Sequence, residues 1–271
     1  MKKTYARASR LYLEFENKDD TTILKDIYNS PPFLVMHTFK YGDFTKAMIM
    51  SSSPGILEGD RQEERFYAKK NSKVLLSSQS YEKVYKMNED SFASRRVEIC
   101  GEEKSDFIFK LLPMILYKDA DFREDIKVDL EKDARLIFSN CFVAGRIGRG
   151  ESFEFKSYKT NLDINLDSKL IYTEKNLIRP REQNINELGL MEGYDHFLSM
   201  VAINFSNEDN IGEIRKIIEK NSQKRGLKGG ASLSFRNDIQ IRILGKMGQD
   251  LIECEKEIID YLIEKGGRIC I

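Results

Sequence analysis

Hydrophobic and polar residues alternate along much of the chain up to about residue 205. In residues 11–15 (LYLEF) every second side chain is leucine or phenylalanine, which is the period at which one face of a β-strand meets a core. The polar residues 17–20 separate this segment from a second one at residues 22–24. The pattern therefore predicts a β-hairpin at the start and further strands as far as residues 197–205.

A unit made of a strand, a charged turn and a second strand recurs along this region. Residues 66–76, 97–107 and 128–138 share this form, and residues 163–172 resemble a displaced fourth copy. A repeat of roughly 30 residues is typical of stacked units, which bury together the faces that one unit cannot bury alone. We predict a mainly β protein whose residues 1–205 form a stacked body, either β-helix-like or a β-sandwich. A meander of hairpins with a chance spacing is the alternative.

Helical periodicity is confined to the last part of the chain. Isoleucines recur three and four positions apart after residue 207, Gly226 can end that helix, and residues 249–264 carry a second apolar helical face. Residues 231–244 lie between the two and alternate like a strand pair. The sequence predicts that residues 206–271 contain a few helices and pack on the same domain as the β body.

Composition narrows the class of protein. The 44 basic and 44 acidic residues cancel, so the overall charge gives no attraction for nucleic acid or an anionic membrane. No run approaches the ~20 apolar residues that span a bilayer, and the first residues carry no apolar signal core. Four scattered cysteines without a CxxC pair favour reduced thiols. We therefore predict a cytoplasmic protein.

Signatures of nucleophilic catalysis are absent from the sequence. The chain has two histidines, no GxSxG motif and no Cys-His signature, whereas a nucleophilic enzyme needs a nucleophile, a base and an orienting group within reach. This favours a binding or assembly protein over a hydrolase or transferase.

Four carboxylates crowd the segment before the first repeat: Glu58, Asp60, Glu63 and Glu64. Such a density suits divalent cations or acid-base chemistry. In a strand, Asp60 and Glu64 would point to the same face, because side chains repeat every second residue. A solvated acidic turn, balanced by the two neighbouring arginines, is the alternative.

Other candidate residues follow this segment. A thiolate at Cys141 would be a soft metal ligand, although a cysteine between apolar neighbours is more commonly packed in a core. Arg146 lies in a glycine turn that would hold an anion or simply be flexible and basic. Gln79, Lys83 and Tyr85 would line a groove or face solvent.

Three segments together resemble the family of the urease accessory protein UreD, also named UreH. They are residues 53–66 (SPGILEGDRQEERF), residues 73–86 (KVLLSSQSYEKVYK) and residues 111–155, from LLPMILYKD through the Gly-Arg turn to GESFEF. Members of the family carry a Gly-Gly-Asp-like turn, a Thr/Ser-Gln-Ser-x-x-Lys strand, a Leu-x-Pro segment and a Gly-Arg turn. The resemblance runs in order from about residue 5 to residue 205.

The resemblance implies a non-enzymatic chaperone that bridges apo-urease to UreF and the GTPase UreG. It also implies that the chaperone helps deliver nickel(II) to the urease structural subunits, with nickel in transit through an internal channel and no tightly bound cofactor. The matching channel positions would be Asp60, Glu64 and Glu174. A few carboxylates with retained waters would bind the ion weakly enough to release it.

This sequence departs from the family pattern at two places. The family often has a glutamate before the strand that leads to the Gly-Arg turn, where this chain has Asn140 followed by Cys141. A channel carboxylate is therefore missing or replaced by a thiolate. Glu58 stands where the family has the first glycine of the acidic turn.

Two other classes of protein stay open at this point. One is a β-solenoid enzyme that acts on carbohydrate through paired carboxylates such as Asp60 and Glu64. The other is an interaction module without a metal role.

Overall fold

The computed structural model describes residues 8–205 and 208–265. It is mainly β, with 50% strand and 15% helix. The strands are β1 (Ser9–Lys18), β2 (Thr21–Asn29), β3 (Phe33–Val35), β4 (Phe39–Tyr41), β5 (Phe44–Ser51), β6 (Arg61–Ala68), β7 (Lys73–Ser78), β8 (Glu82–Val84), β9 (Ala93–Gly101), β10 (Asp106–Lys110), β11 (Met114–Leu116), β12 (Asp121–Leu130), β13 (Arg135–Val143), β14 (Ser157–Leu166), β15 (Lys169–Ile178), β16 (His196–Ile203), β17 (Lys228–Leu233) and β18 (Ile239–Gly245). The α-helices are α1 (Glu208–Arg225) and α2 (Gly248–Lys265), and Ile147–Arg149 form a short 3-10 helix.

Three stacked coils form the centre of the molecule. In each coil a four-residue turn joins a strand of one sheet to a strand of the other, giving the pairs β6–β7, β9–β10 and β12–β13. Equivalent strands of successive coils are parallel neighbours. The third residue of each turn has a positive φ, 60° at Asn71, 59° at Lys104 and 60° at Asp133, so the turns repeat as well as the strands. The prediction of a mainly β, stacked body is confirmed.

The register of the coils differs from the predicted spacing at the middle copy. Phe66 pairs with Ile99, and Ile99 pairs with Val128. The alignment of residue 66 with residue 128 is therefore confirmed, but the middle copy is in register at Ile99 and not at Val97. A shift of two residues keeps the same side chains on the inner face, so the alternating pattern cannot detect it.

The predicted fourth copy is a hairpin and does not cross between the sheets. β14 and β15 pair antiparallel within the same sheet. The two residues between them, Asp167 and Ser168, have φ values of 48° and 63°. Two consecutive positive φ values are typical of the tight turns that close hairpins, so the chain folds back before it reaches the second sheet.

Two sheets face each other across the interior. The first sheet has the order β15-β14-β12-β9-β6-β1-β2, and β1 and β2 form the predicted initial hairpin. The second sheet has the order β17-β18-β16-β13-β10-β7-β5-β3, with β4, β8 and β11 beside it. The predicted strand pair near residues 231–244 is β17 and β18, which extend this second sheet.

Both helices cover the outer face of the second sheet. Ile214 of α1 and Ile258 of α2 belong to one buried cluster with Ile108 and Ile137 of that sheet. α1 ends before Gly226, whose φ is 66°, as the sequence predicts. Residue 207, after which the sequence predicts this helix to begin, lies outside the described residues. Of the two helices in the described ranges, neither combines the length and apolarity needed to cross a membrane.

A polar layer divides the space between the sheets into two apolar clusters. One cluster contains Phe66 and Phe138, and the other contains Phe122 and Phe142. Between them, inward-facing polar residues pair from strand to strand. The polar layer consists of Gln62, Arg95, Glu124, Thr160 and Asn176 in the first sheet, and Asn140 and Ser199 in the second.

Candidate functional site: a buried polar layer between two cavities

Arg95 lies in the polar layer with its guanidinium among three carboxylates. Its Nε lies 3.1 Å from Glu64 Oε1, its Nη1 lies 3.3 Å from Glu124 Oε1, and its Nη2 contacts Glu82. Nε also donates to Gln62 Oε1 at 2.9 Å. The side chains of Arg95 and Glu64 are only 6% and 2% exposed. Water therefore screens these charges little. We call Arg95 and its three carboxylates the arginine cluster.

Burial changes the proton affinity of the arginine cluster. It raises the pKa of Glu64 to about 7, against the lowering effect of Arg95, and the two other carboxylates raise it further. Burial also raises the pKa of Glu124. It opposes the charge on Arg95, but the three carboxylates outweigh it and raise the pKa of Arg95. Arg95 thus stays charged, whereas Glu64 exchanges its proton near neutral pH.

An inner cavity of about 180 Å³ borders the arginine cluster. The lining residues include Glu64, Glu82, Arg95, Glu124 and Asn140. Oε2 of Glu64 is buried and has no hydrogen-bond partner among the described residues. An unpaired buried oxygen is unfavourable, so Glu64 is disposed to accept a proton or a cation from the cavity.

Hydrogen bonds continue from the arginine cluster across the interior. The Tyr158 hydroxyl donates to Glu124 Oε2 at 2.7 Å, and Asn140 Nδ2 donates to that hydroxyl at 3.2 Å. Asn140 pairs along the second sheet with Ser199. The Ser199 hydroxyl lies 3.2 Å from both carboxylate oxygens of Glu174. Polar groups therefore run from the arginine cluster to Glu174.

A second cavity, of about 370 Å³, lies near the β15 and β16 side of the sandwich, and we call it the edge cavity. Tyr158 and Glu174 line it, and Asn140 borders both cavities. The Glu174 carboxylate contacts Arg242 and accepts a hydrogen bond from the Tyr172 hydroxyl at 2.6 Å. The side chain of Glu174 is 13% exposed, so this predicted carboxylate lies close to the surface at the far end of the polar layer.

Asp60 lies apart from this arrangement. β6 begins at Arg61, and Asp60 closes the turn before it: its Oδ2 accepts a hydrogen bond from the Leu57 amide at 2.7 Å. The strand face that the sequence assigns to Asp60 and Glu64 together is therefore not formed at Asp60. Glu64 does face inward and lines the inner cavity.

Cys141 is buried at the boundary between the second sheet and the helices. It belongs to the apolar cluster that contains Ile258 of α2, although part of it also borders the inner cavity. Burial raises the pKa of Cys141 well above its usual value, and the nearby carboxylate of Glu255 adds to the effect. The thiol therefore stays protonated at neutral pH, which disfavours binding of a soft metal.

The four predicted lining residues lie in different places. Lys83 borders the inner cavity, whereas Gln79 is exposed. Tyr85 contacts the Tyr117 ring edge-on, with centroids 5.1 Å apart, and the Arg146 guanidinium lies 4.7 Å from the centroid of the same ring. Tyr85 and Arg146 thus flank one aromatic ring outside the polar layer.

A resident metal site is not found in the part of the chain that the structure describes. There, no group of three or more His, Cys, Asp or Glu side chains is arranged to hold a metal ion. The three carboxylates of the arginine cluster instead surround a guanidinium. Arg95 itself therefore occupies the central cationic position.

Sequence reasoning finds Glu64 but misses Arg95 and Glu124. Arg95 lies two positions before Val97, and Glu124 lies two positions after Phe122, so both are in phase with inward-facing apolar residues. A charged side chain on the apolar face of a strand needs a partner of opposite charge. This two-residue spacing from apolar positions is the signal in the sequence that marks Arg95 and Glu124 as inward-facing.

Fold and site together define a class of protein: a two-sheet β-solenoid whose interior carries a charged polar layer between two cavities. Comparison with known families gives the more specific assignment. The family model described as "UreD urease accessory protein" matches residues 7–267. The chain therefore belongs to the UreD family of urease accessory proteins.

Curated relatives agree with this assignment. The chain is 30% identical to the urease accessory protein UreH of Helicobacter pylori (strain J99) over 94% of this chain and 95% of the relative. It is 28% identical to the urease accessory protein UreD of Acetivibrio thermocellus over 97% of this chain and 100% of the relative. It is 26% identical to the urease accessory protein UreD of Actinobacillus pleuropneumoniae over 92% and 91%.

The family assignment settles two of the predictions made from the sequence. The resemblance to the UreD family is confirmed, and with it a role in urease maturation. The prediction of an accessory protein rather than an enzyme is also confirmed, so the carbohydrate-active alternative loses its support.

Proposed function

We propose that this chain is a cytoplasmic urease maturation chaperone that bridges apo-urease to UreF and the GTPase UreG and helps deliver nickel(II) to the urease active site. Membership of the UreD family supports the urease part of the proposal. The polar layer supports the nickel part.

The connection of the two cavities by the polar layer is the observation that carries the nickel proposal. A row of buried charged and polar side chains is unfavourable as a means of stability alone, because an apolar core would do as well or better. The Oε2 atom of Glu64, which has no hydrogen-bond partner in the part of the chain that the structure describes, adds to that cost. Passage of a cation along the layer explains both features, with Glu64 near one end and Glu174 near the other.

The arginine cluster suits an ion that passes rather than one that stays. Arg95 already pairs with Glu64 and Glu124, so an arriving divalent cation competes with the guanidinium and displaces protons. Carboxylates and water are also weaker ligands for nickel than imidazole or thiolate. Nickel(II) is therefore proposed as cargo, without a tightly bound cofactor.

The remaining predicted residues have proposed roles outside the polar layer. Asp60 is proposed as a carboxylate that the cation meets before it enters the polar layer. Cys141 is proposed as a ligand only after its thiol loses a proton. Gln79, Tyr85 and Arg146 are proposed as contacts with partner proteins, and Lys83 as part of the inner cavity wall.

The test compares complex formation with nickel transfer. The chain is co-purified with UreF, UreG and urease, and nickel per urease is then measured by mass spectrometry. We expect Glu64→Gln and Glu124→Gln to retain the complex but to lower the nickel content several-fold. Glu63→Gln is the matched control, because Glu63 is an exposed neighbour whose side chain is 44% accessible.

Three other outcomes would change the proposal. Normal nickel loading with both glutamine variants would contradict passage through the polar layer and leave a scaffold. A complex that fails to form with the unaltered chain would contradict the bridging role. Deletion of the gene should leave urease protein present but poor in nickel; full nickel loading in that strain would contradict the whole proposal.

A further inference from the structure

The two cavities share one lining residue, Asn140. Asn140 of β13 borders both cavities, whereas Glu124 borders the inner cavity and Tyr158 borders the edge cavity. The Asn140 amide donates to the Tyr158 hydroxyl, which donates to Glu124. These hydrogen bonds join the two sheets at the place where a passage between the cavities would run.

Tyr158 and Asn140 differ in their freedom to move. The Tyr158 ring is 2% exposed, stacks on Phe122 with centroids 6.4 Å apart, and meets Phe142 edge-on at 5.3 Å. The ring therefore cannot swing away without disturbing the core. Asn140 is only partly buried and faces cavity space on two sides, so its side chain and the Tyr158 O–H bond are the parts that can rotate.

We propose that Asn140 and the Tyr158 hydroxyl form a gate between the inner cavity and the edge cavity. This inference rests on the proposed passage of a divalent cation along the polar layer. In the closed state, the hydroxyl donates to Glu124 and holds Asn140 in place.

Arrival of the cation opens the gate through Glu124. A cation on the Glu124 carboxylate repels the hydrogen of the Tyr158 hydroxyl, which must then turn toward Asn140. There it meets the amide N–H donor, and two donors cannot bond to each other. Asn140 rotates to present its carbonyl oxygen, and the passage gains an oxygen ligand for the cation.

Burial raises the pKa of Tyr158 well above its usual value, and Glu124 adds to the effect. The hydroxyl therefore keeps its hydrogen in the closed state and donates it to Glu124 there. This property makes the hydroxyl a latch that only a competing positive charge releases.

The test uses two variants with opposite expected effects on the initial rate of nickel incorporation. The complex contains the chain, UreF, UreG and apo-urease, and nickel chloride is the only metal added. Asn140→Leu places an apolar plug of similar size in the passage, and we expect it to slow incorporation at least tenfold. Tyr158→Phe keeps the ring but removes the latch, and we expect a rate increase of about fivefold, the equivalent of one hydrogen bond.

Matched controls separate the gate from general effects on folding. Asn221→Leu makes the same change at a buried asparagine of α1 that borders neither cavity among those described, and its nickel rate should match that of the unaltered chain. A purely structural role for Tyr158 would lower the rate in Tyr158→Phe and so would contradict the gate. If Asn140→Leu does not fold, the sign of the Tyr158→Phe effect decides.

The outcome also separates the gate from the passage itself. If Glu124→Gln lowers nickel transfer while Asn140→Leu and Tyr158→Phe leave it unchanged, the passage stands and the gate is wrong. If Glu64→Gln and Glu124→Gln are also without effect, the passage is wrong as well. A slower Asn140→Leu together with a faster Tyr158→Phe supports both.

Discussion

Arg95 is the residue on which the interior charges depend. Its guanidinium pairs with Glu64, Glu82 and Glu124, and it lies 5.7 Å from the centroid of the Phe122 ring. Removal of one member of a buried charge network strongly destabilises the folded state, because the remaining charges are left unpaired. Arg95 is therefore required for stability whatever passes through the cavity.

We predict that Arg95→Met lowers the free energy of unfolding by about 3–5 kcal/mol at pH 8. The loss should be smaller at pH 6, where the carboxylates left without a partner can take up protons. Urea denaturation at both pH values measures the difference. Arg96→Met is the control, because Arg96 is the exposed next residue; a loss at Arg96 as large as that at Arg95 would contradict the assignment.

Glu64 should make stability depend on pH in a defined window. Burial raises its pKa from an ordinary value of 4.5 to about 7 in the folded chain. Between pH 4.5 and about 7, the folded state therefore keeps a proton that the unfolded state has lost. Its stabilising contribution is therefore complete below pH 4.5 and is lost as pH rises to about 7, by up to about 3 kcal/mol. Stability curves that run parallel for the unaltered chain and Glu64→Gln from pH 5 to 8 would contradict this.

At the level of single residues, the sequence predicts an inward Glu64 but not its environment. The alternation that puts Val97 and Ile126 inside also puts Arg95 and Glu124 inside, and this can be read from spacing alone. Which strands are neighbours cannot be read in that way. Only the parallel stacking of β6, β9 and β12 brings the three charged side chains together.

At the level of elements, the charged turns of the coils were predictable because strand, turn and strand recur. The two-residue displacement at Ile99 was not, because the connections between coils have different lengths while the inner face stays the same. The hairpin at Asp167 and Ser168 left a readable signal: two residues that tolerate a positive φ lie between alternating segments.

A single glycine fixes the loop at the inner cavity. Gly55 has a φ of 154°, and a Cβ there would lie 2.3 Å from the Lys83 carbonyl oxygen. We predict that Gly55→Ala lowers stability by about 1–3 kcal/mol, because loop and β8 must separate. Gly212→Ala in α1 is the matched control. Apart from its chain neighbours and the backbone of its own helix, no atom of the described residues lies within 4 Å of its Cβ position, so alanine should stabilise the helix by about 0.5–1 kcal/mol. Thermal unfolding measures both, and a Gly55→Ala midpoint at or above that of the unaltered chain would contradict the prediction.

At the level of the whole molecule, the second sheet continues past the solenoid coils. β16 pairs with β13 on one side and β18 on the other, and α1 and α2 cover the outer face of the sheet. The sequence predicts these helices and strands but leaves open which face they cover, because an amphipathic helix shows that it has a buried side and not what buries it.

The shared cluster between the helices and the second sheet predicts a single unfolding transition. Ile258 of α2 is fully buried against that sheet, so Ile258→Ala should cost about 2–5 kcal/mol. The loss should shift two signals together in urea: far-UV circular dichroism and tyrosine fluorescence, which reports mostly on the first 205 residues because Tyr261 is the only one of the 12 tyrosines after them. Glu264→Ala, at an exposed position of α2, should leave both transitions in place. A circular dichroism transition of Ile258→Ala at lower urea, with the tyrosine midpoint unchanged, would contradict this prediction. The C-terminal part would then be a separate unfolding unit, and the β body would stay folded with the apolar outer face of its second sheet exposed to water.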